Sequence, residues 1–157
     1  MPQRLAGRVG IILLVSLVAG TAANLVSPSR IKWIHDWSTY VADEAEEKGI
    51  RVVDIDQVRA IVEAGSHFIF DARPASDYAA GNITGAFSLP VENIDVEFEQ
   101  YAPVLTPDQA ILVYCSGKEC DESLLLGTRF IEHGFTNVVL FAGGYSEWSE
   151  AEAGASP

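Results

Sequence analysis

A chain of 157 residues is long enough for one domain with a real core, plus accessory segments. Its 10 basic and 22 acidic residues leave a formal net charge of -12, which would repel nucleic-acid phosphates and excludes that class of partner. The same charge favours solubility and says little else about chemistry.

The first segment, Val9 to Val26, carries no charge and follows Arg4 and Arg8. At eighteen residues it is near the lower limit of a membrane span, which needs roughly 17–25. A secretory signal fits the same pattern: a basic start, an apolar centre, then small residues at Thr21 and Ala23 flanking a cut. A buried core helix is the third reading. Arg4 and Arg8, weighed against Arg30 and Lys32, bias the N-terminus slightly inward. The favoured division is a transmembrane anchor or signal segment over 1–26, a juxtamembrane helix or linker over 27–49, and a domain over 50–157. The domain then faces the periplasm or exterior on an uncleaved anchor, or is secreted after cleavage. After Pro28, Trp33, Trp37 and Tyr40 recur at helical spacing with Ile34 and Val41. They suit either an interfacial helix at lipid headgroup level or a helix packed on the domain itself.

From Ile50 the pattern alternates between short apolar runs and helical periods. Arg51 to Val53 reads as a strand, and Asp54 or Asp56 caps a helix through Ile55, Val58, Ile61 and Val62 that stops at Gly65. His67 to Phe70 is a second strand, ending at Asp71 and Arg73. A short helix over 75–80 ends at Gly81, and Ala86 to Leu89 is a third strand closed by Pro90. Val91 to Tyr101 is helical, with Ile94, Phe98 and Tyr101 inward. Thr106-Pro107-Asp108 is a turn. Val138 to Phe141 is the last strand, Gly143-Gly144 permits a tight turn, and Tyr145 to Ala153 is a final helix with Trp148 inward. The residues His35, His67 and His133 are scattered without partners at metal-ligand spacing, so no metal or organic cofactor is expected.

The stretch that organises the rest runs from Ile111 to Leu126. Ile111-Leu112-Val113-Tyr114 is a short buried strand, and Cys115 stands at its end. Ser116, Gly117, Lys118, Glu119 and Cys120 form a loop, followed by a helix from about Ser123 to His133. A loop feeding a helix N-terminus gathers unpaired N–H groups, and the helix dipole adds roughly half a positive charge there. A thiolate at Cys115 is stabilised in such a cradle, with a pKa expected below the roughly 8.5 of a free thiol. Otherwise Cys115 is a small hydrophobe capping a core strand. In α/β sheets ligands collect beyond the carboxyl ends of strands, so Asp71 and Arg73 share a side with this loop. They either shape the pocket, or Arg73 pairs with Asp77 to fix the following turn.

Several pieces occur in order: Phe70-Asp71-Ala72-Arg73 with Asp77-Tyr78, Gly81 to Ala86 leading to Leu89-Pro90, Val113-Tyr114-Cys115, Gly134-Phe135, and Phe141 to Gly144 with Trp148. Taken together, from about Val52 to Trp148, they resemble a rhodanese-like, sulfurtransferase-type domain. The resemblance implies an α/β fold: a central, mostly parallel sheet flanked by helices in three layers. It also implies a cysteine that carries sulfur as a persulfide held by loop amides. Where the family usually has a histidine, this chain has Asn82, which cannot titrate near neutral pH. Where ordinary loops put a basic or hydroxyl residue five after the nucleophile, this one has Cys120. Counting back from Gly134-Phe135 makes Ser123 the helix-start serine and the loop about two residues longer. Phosphatases of this fold need an arginine near the loop end; here Lys118 stands among Glu119, Asp121 and Glu122, which disfavours a phosphate dianion.

The expected chemistry is sulfur transfer. Cys115 takes sulfane sulfur from a small anion such as thiosulfate or a polysulfide and passes it to a thiol or cyanide, with Lys118 attracting the donor. In a second reading Cys115 and Cys120 form a thiol–disulfide or redox-sensing pair, Cys120 acting as the resolving thiol; otherwise Cys120 is a neutral loop residue, or the two form a structural disulfide that silences Cys115. Export would favour that pairing, because disulfides persist outside the cytosol. A third reading is a non-catalytic interaction domain. The membrane is contacted only through the N-terminal segment.

Overall fold

The computed structural model describes residues 2–27, 37–101 and 103–155. Two compact units result, Met1–His35 and Asp36–Pro157. The first contains helix α1 (Pro2–Val26), whose stretch Gly7–Val26 is long and apolar enough to cross a membrane or to serve as a signal sequence. None of that stretch is buried within its own unit.

In the second unit α2 (Trp37–Glu47) contributes Val41 and Ala45 to the core, with Tyr40 packed partly against it. This helix therefore packs on the domain. The aromatic pair invoked for the lipid interface, Trp33 and the side chain of Trp37, lies outside the described residues, as do Pro28, Ile34 and His35.

Five strands follow: β1 (Arg51–Val52), β2 (Phe68–Asp71), β3 (Ala86–Ser88), β4 (Ile111–Tyr114) and β5 (Val138–Phe141). They pair in the order β1-β5-β4-β2-β3, and every pairing is parallel. Between them lie α3 (Ile55–Ala64), α4 (Ala75–Ala80), α5 (Ile94–Tyr101) and α6 (Glu122–Glu132), and α7 (Gly144–Ala155) closes the chain. Asp54 caps α3 reciprocally. Its side chain accepts from the amide of Gln57 at 2.9 Å, and the Gln57 side chain accepts from the amide of Asp54 at 3.0 Å.

Alternation along the central strands builds the layers. Ile111 and Val113 of β4, with Val138 and Leu140 of β5, face a core shared with α2, α5 and α6 through Val41, Phe98, Leu126 and Phe130. Leu112, Tyr114, Val139 and Phe141 face the opposite core, with Val58 of α3 and Trp148 of α7. Strands buried on both faces read as continuous apolar runs, as β4 and β5 do. Because all strands run the same way, Asp71, Tyr114 and Phe141 fall in one row at the carboxyl edge, paired directly across the sheet.

Candidate functional site

Cys115 is the first residue past β4, and α7 holds the start of its loop. The amide of Tyr145 donates to the Cys115 carbonyl at 2.8 Å, and that of Ser146 to the Ser116 carbonyl at 2.9 Å. This close approach needs glycine at position 144. Gly144 has φ +61°, and a Cβ there would lie 2.5 Å from the Cys115 carbonyl oxygen and 2.6 Å from the Gly117 nitrogen. The tight turn expected at Gly143-Gly144 is thus present beside the loop.

Within the loop, the Cys120 amide turns back to the Gly117 carbonyl at 3.0 Å. Among the described residues the amides of Ser116, Gly117, Lys118 and Glu119 make no backbone hydrogen bond, which leaves them available to an anion. The loop opens on a cleft of about 610 Å³ lined by Ser116 to Cys120 and, from the α7 side, by Gly143, Ser146, Glu147 and Glu150. Lys118 is the one cation in that lining, against Glu119, Glu147 and Glu150. Glu147 and Glu150 were not singled out in the sequence; their helical register on α7 is the signal that puts both on the loop side.

The sulfurs of Cys115 and Cys120 are joined as a disulfide, with Cα atoms 6.1 Å apart. Cys115 is 2% exposed, and it is Cys120 that lines the cleft. Cys115 is thus buried with the core, as the reading of a residue capping a core strand has it, and its polar contacts are Ser116, whose Oγ lies 3.6 Å from Sγ, and Glu122, whose Oε2 lies 3.0 Å away. The same carboxylate oxygen touches the Cys120 sulfur. The sulfur expected as a lone thiolate in an amide ring is therefore a bonded pair with an acid against it. A carboxylate at that distance opposes negative charge on sulfur, whereas the amides and the α6 N-terminus favour it. Helix α6 begins at Glu122, one residue before Ser123, and Ser123 is buried at its second position. Cys115, Cys120 and Glu122 place ligand atoms within 4.8 Å of one another, a set able to hold a soft metal ion once the cysteines are reduced.

Asp71 and Arg73 occupy the next strand end. Arg73 does not pair with Asp77; its partner is Asp71, through Nη2 to Oδ2 at 2.6 Å and Nε to Oδ1 at 3.0 Å. The reason is local geometry: β2 ends so that the Arg73 amide also donates to Asp71 Oδ1 at 3.0 Å, folding the side chain back onto the acid. The guanidinium also donates to the Gly81 carbonyl at 2.7 Å and lies over the Tyr145 ring at 4.2 Å. The Tyr114 hydroxyl donates to Asp71 Oδ2 at 2.6 Å and accepts from the Ile83 amide at 3.1 Å. Burial and the bond to Asp71 push the Tyr114 phenol well above its ordinary value. Burial works against the charge on Arg73, but its bonds to Asp71 outweigh that and hold it above the usual range. All three residues are buried, so Arg73 does not face the cleft; it props Tyr145, whose amide holds Cys115. Asn82 donates to the Tyr78 carbonyl at 3.2 Å and takes a place in the α4 turn.

Comparison with known proteins agrees with the fold. The rhodanese-like domain family model matches residues 54–151. The chain is similar to the human thiosulfate:glutathione sulfurtransferase, 27% identical over 116 residues that cover 67% of this chain and 98% of the relative. It is also similar to the thiosulfate sulfurtransferase GlpE of Shewanella oneidensis, 31% identical over 101 residues, or 64% of this chain and 94% of that one. Among solved structures, the human single-domain sulfurtransferase TSTD1 superposes with a TM-score of 0.54 at 23% identity, covering 63% of this chain and 95% of that chain. This last likeness bears on the fold.

Proposed function

Since the chain belongs to the rhodanese-like domain family, and its sulfurtransferase relatives are matched over nearly their whole length, we propose that it transfers sulfane sulfur through a persulfide on Cys115. A reduced Cys115 attacks the outer sulfur of a donor such as thiosulfate or a polysulfide; for thiosulfate, the S–S bond breaks and sulfite leaves with its electron pair. The persulfide is then passed to a thiol or cyanide. What carries the reading is the set of uncommitted amides from Ser116 to Glu119, opening on a cleft directly after the strand-end cysteine. Lys118 draws the anionic donor past the acids of the rim. Asp71 and Arg73 act by holding Tyr114 and Tyr145 and so the loop. In this reading residues 1–26 anchor the domain, and the domain, placed outside the cytosol, starts ahead of the expected boundary at residue 50, because α2 of the 27–49 segment supplies Val41 and Ala45 to its core.

The disulfide favours a second use of the same residues, with Cys120 resolving a loaded or oxidised Cys115 in a thiol–disulfide cycle. A thiosulfate:cyanide assay with reductant separates the two. Sulfur transfer predicts loss in Cys115→Ser and survival in Cys120→Ser; a thiol–disulfide cycle needs both. Mass spectrometry of reduced protein exposed to thiosulfate should show one added sulfur on Cys115. Finding no adduct would remove the persulfide.

A further inference from the structure

We propose that the cleft receives a reducing thiol bearing a positive charge, and that this thiol opens the disulfide at the Cys120 sulfur and releases Cys115. The inference rests on the thiol–disulfide reading of the pair and deepens it, naming the sulfur attacked and the charge class of the co-substrate.

Access selects the sulfur. Cys115 is buried and absent from the cleft lining, whereas Cys120 is half-buried and part of it. A thiolate entering the cleft therefore meets the Cys120 sulfur, and access is one of the factors that decide which sulfur of a disulfide is attacked. The leaving group favours the same choice. Cys115 would depart as a thiolate beside the uncommitted amides of Ser116 to Glu119, and a stabilised thiolate leaves faster. Glu122 touches both sulfurs, so it does not decide between them. Charge selects the thiol. Lys118 shares the cleft with Glu119, Glu147 and Glu150, and none of the four has an ion-pair partner among the described residues. Glu147 folds back along the wall: its carboxylate lies over Gly143, where a Cβ would collide with it. The Gly143 carbonyl oxygen in turn is 3.7 Å from where a Cβ on Gly117 would stand, which sets this acid beside the loop. The cleft is therefore net negative, attracting an ammonium group and repelling a carboxylate on an incoming thiol.

The steps balance. The thiolate of a first thiol bonds to the Cys120 sulfur, the bond between Cys115 and Cys120 breaks, and Cys115 leaves with the electron pair. The first thiol is thereby oxidised into a mixed disulfide on Cys120, and Cys115 is reduced. A second thiol of the same class attacks the sulfur of the first, Cys120 leaves as a thiolate, and a small dicationic disulfide departs. The protons of the two thiols go to the solvent. Cys115 is left reduced, the state that sulfur loading requires.

The test uses the oxidised full chain in a nonionic detergent, with no sulfur donor present. Three small thiols are the probes: cationic cysteamine, neutral 2-mercaptoethanol and anionic 3-mercaptopropionate. Each rate of disulfide opening is divided by the thiolate fraction and by the rate of the same thiol on a small neutral disulfide. Cysteamine should then outrun 3-mercaptopropionate about thirtyfold at low salt, with 2-mercaptoethanol between, and the ratio should shrink as salt is added. Acid quenching and alkylation early in the reaction should place the cysteamine adduct on Cys120 and the alkyl group on Cys115. Glu147→Gln combined with Glu150→Gln should cut the ratio about threefold or more. Glu47→Gln combined with Glu63→Gln makes an equal charge change near the ends of α2 and α3, at the amino edge of the sheet, and should leave the ratio unchanged. If the cleft double variant misfolds, Glu150→Gln alone, an exposed position, carries the same comparison. A first adduct on Cys115, a ratio near one, or equal responses to the two double variants overturns the proposal. So do cysteines that stay reduced under oxidant. Failure of the persulfide shows separately, as no added sulfur on Cys115 after thiosulfate, and leaves all of these readouts in place.

Discussion

Asp71, Arg73 and Tyr114 leave the sheet beside Cys115, Cys120 and Glu122, at the ends of the neighbouring strands β2 and β4. In the first group the two charges, Asp71 and Arg73, are paired with each other. Asp71 accepts from the guanidinium, the Arg73 amide and the phenol, and Arg73 gives a second Nη2 bond to the Gly81 carbonyl and its face to Tyr145. In the second group one carboxylate leans on two sulfurs, and the nearby cation Lys118 is outnumbered by acids. A matched buried network has one low-energy arrangement and holds position. A cluster built on a sulfur–sulfur bond has two covalent states, joined and reduced. The two are joined through Tyr145, stacked under Arg73 and bonded to the Cys115 carbonyl, so the rigid cluster sets the geometry of the reactive one.

The most severe way to break this division is Arg73→Ala. It strands the Asp71 carboxylate in the core, where losing one member of a buried pair costs about 3–5 kcal/mol. Urea unfolding should register that loss, and sulfur transfer should fall with it as Tyr145 loses its support. A variant as stable as wild type would mean that the pair does not organise the edge.

Cys120→Ser attacks the other cluster, and its effect should depend on redox state. The disulfide closes a loop of sequence separation 5, worth about 2 kcal/mol in the chain-entropy account. That difference should appear in unfolding without reductant and vanish with it. Equal stability of wild type and variant under oxidising conditions would show the bridge to be absent in solution.

Much of this edge was legible in the sequence, and the gaps have physical causes. The apolar run of β4 followed by Cys115 and small polar residues marks a strand end facing a loop, and Gly143-Gly144 marks the turn against it. Local signals of that kind survive folding. The partner of Arg73 does not: Asp77 looks right by spacing, but Asp71 wins because the strand end folds the arginine back on it. Tyr114 reads as one more apolar residue, though a hydroxyl closing a buried strand needs a partner, and that was the available clue. Glu122 was read only as a charge opposing anions. Its contact with both sulfurs depends on how the longer loop closes, which spacing alone does not encode.

A pH series sharpens the comparison with smaller effects, one at each end of the scale. Tyr114 is held protonated in the folded chain by burial and by Asp71, while in the unfolded chain it ionises near 10.0. Stability from this group is complete below that pH and declines above it, by at most about 1.4 kcal/mol per unit. Tyr114→Phe should flatten this alkaline slope. At the acid end the titrating group is His67, next to the amino end of β2 and far from both clusters in the strand direction. Burial, then the charge of Arg51, lowers its pKa from 6.5. The unfolded chain therefore binds a proton first, so stability is full above about 6.5 and falls slightly as pH drops further. His67→Gln should remove this slope without touching sulfur transfer. A pH dependence of sulfur transfer that survives His67→Gln then belongs to the cleft rather than to the fold, which makes this small stability effect the control for the reactive cluster.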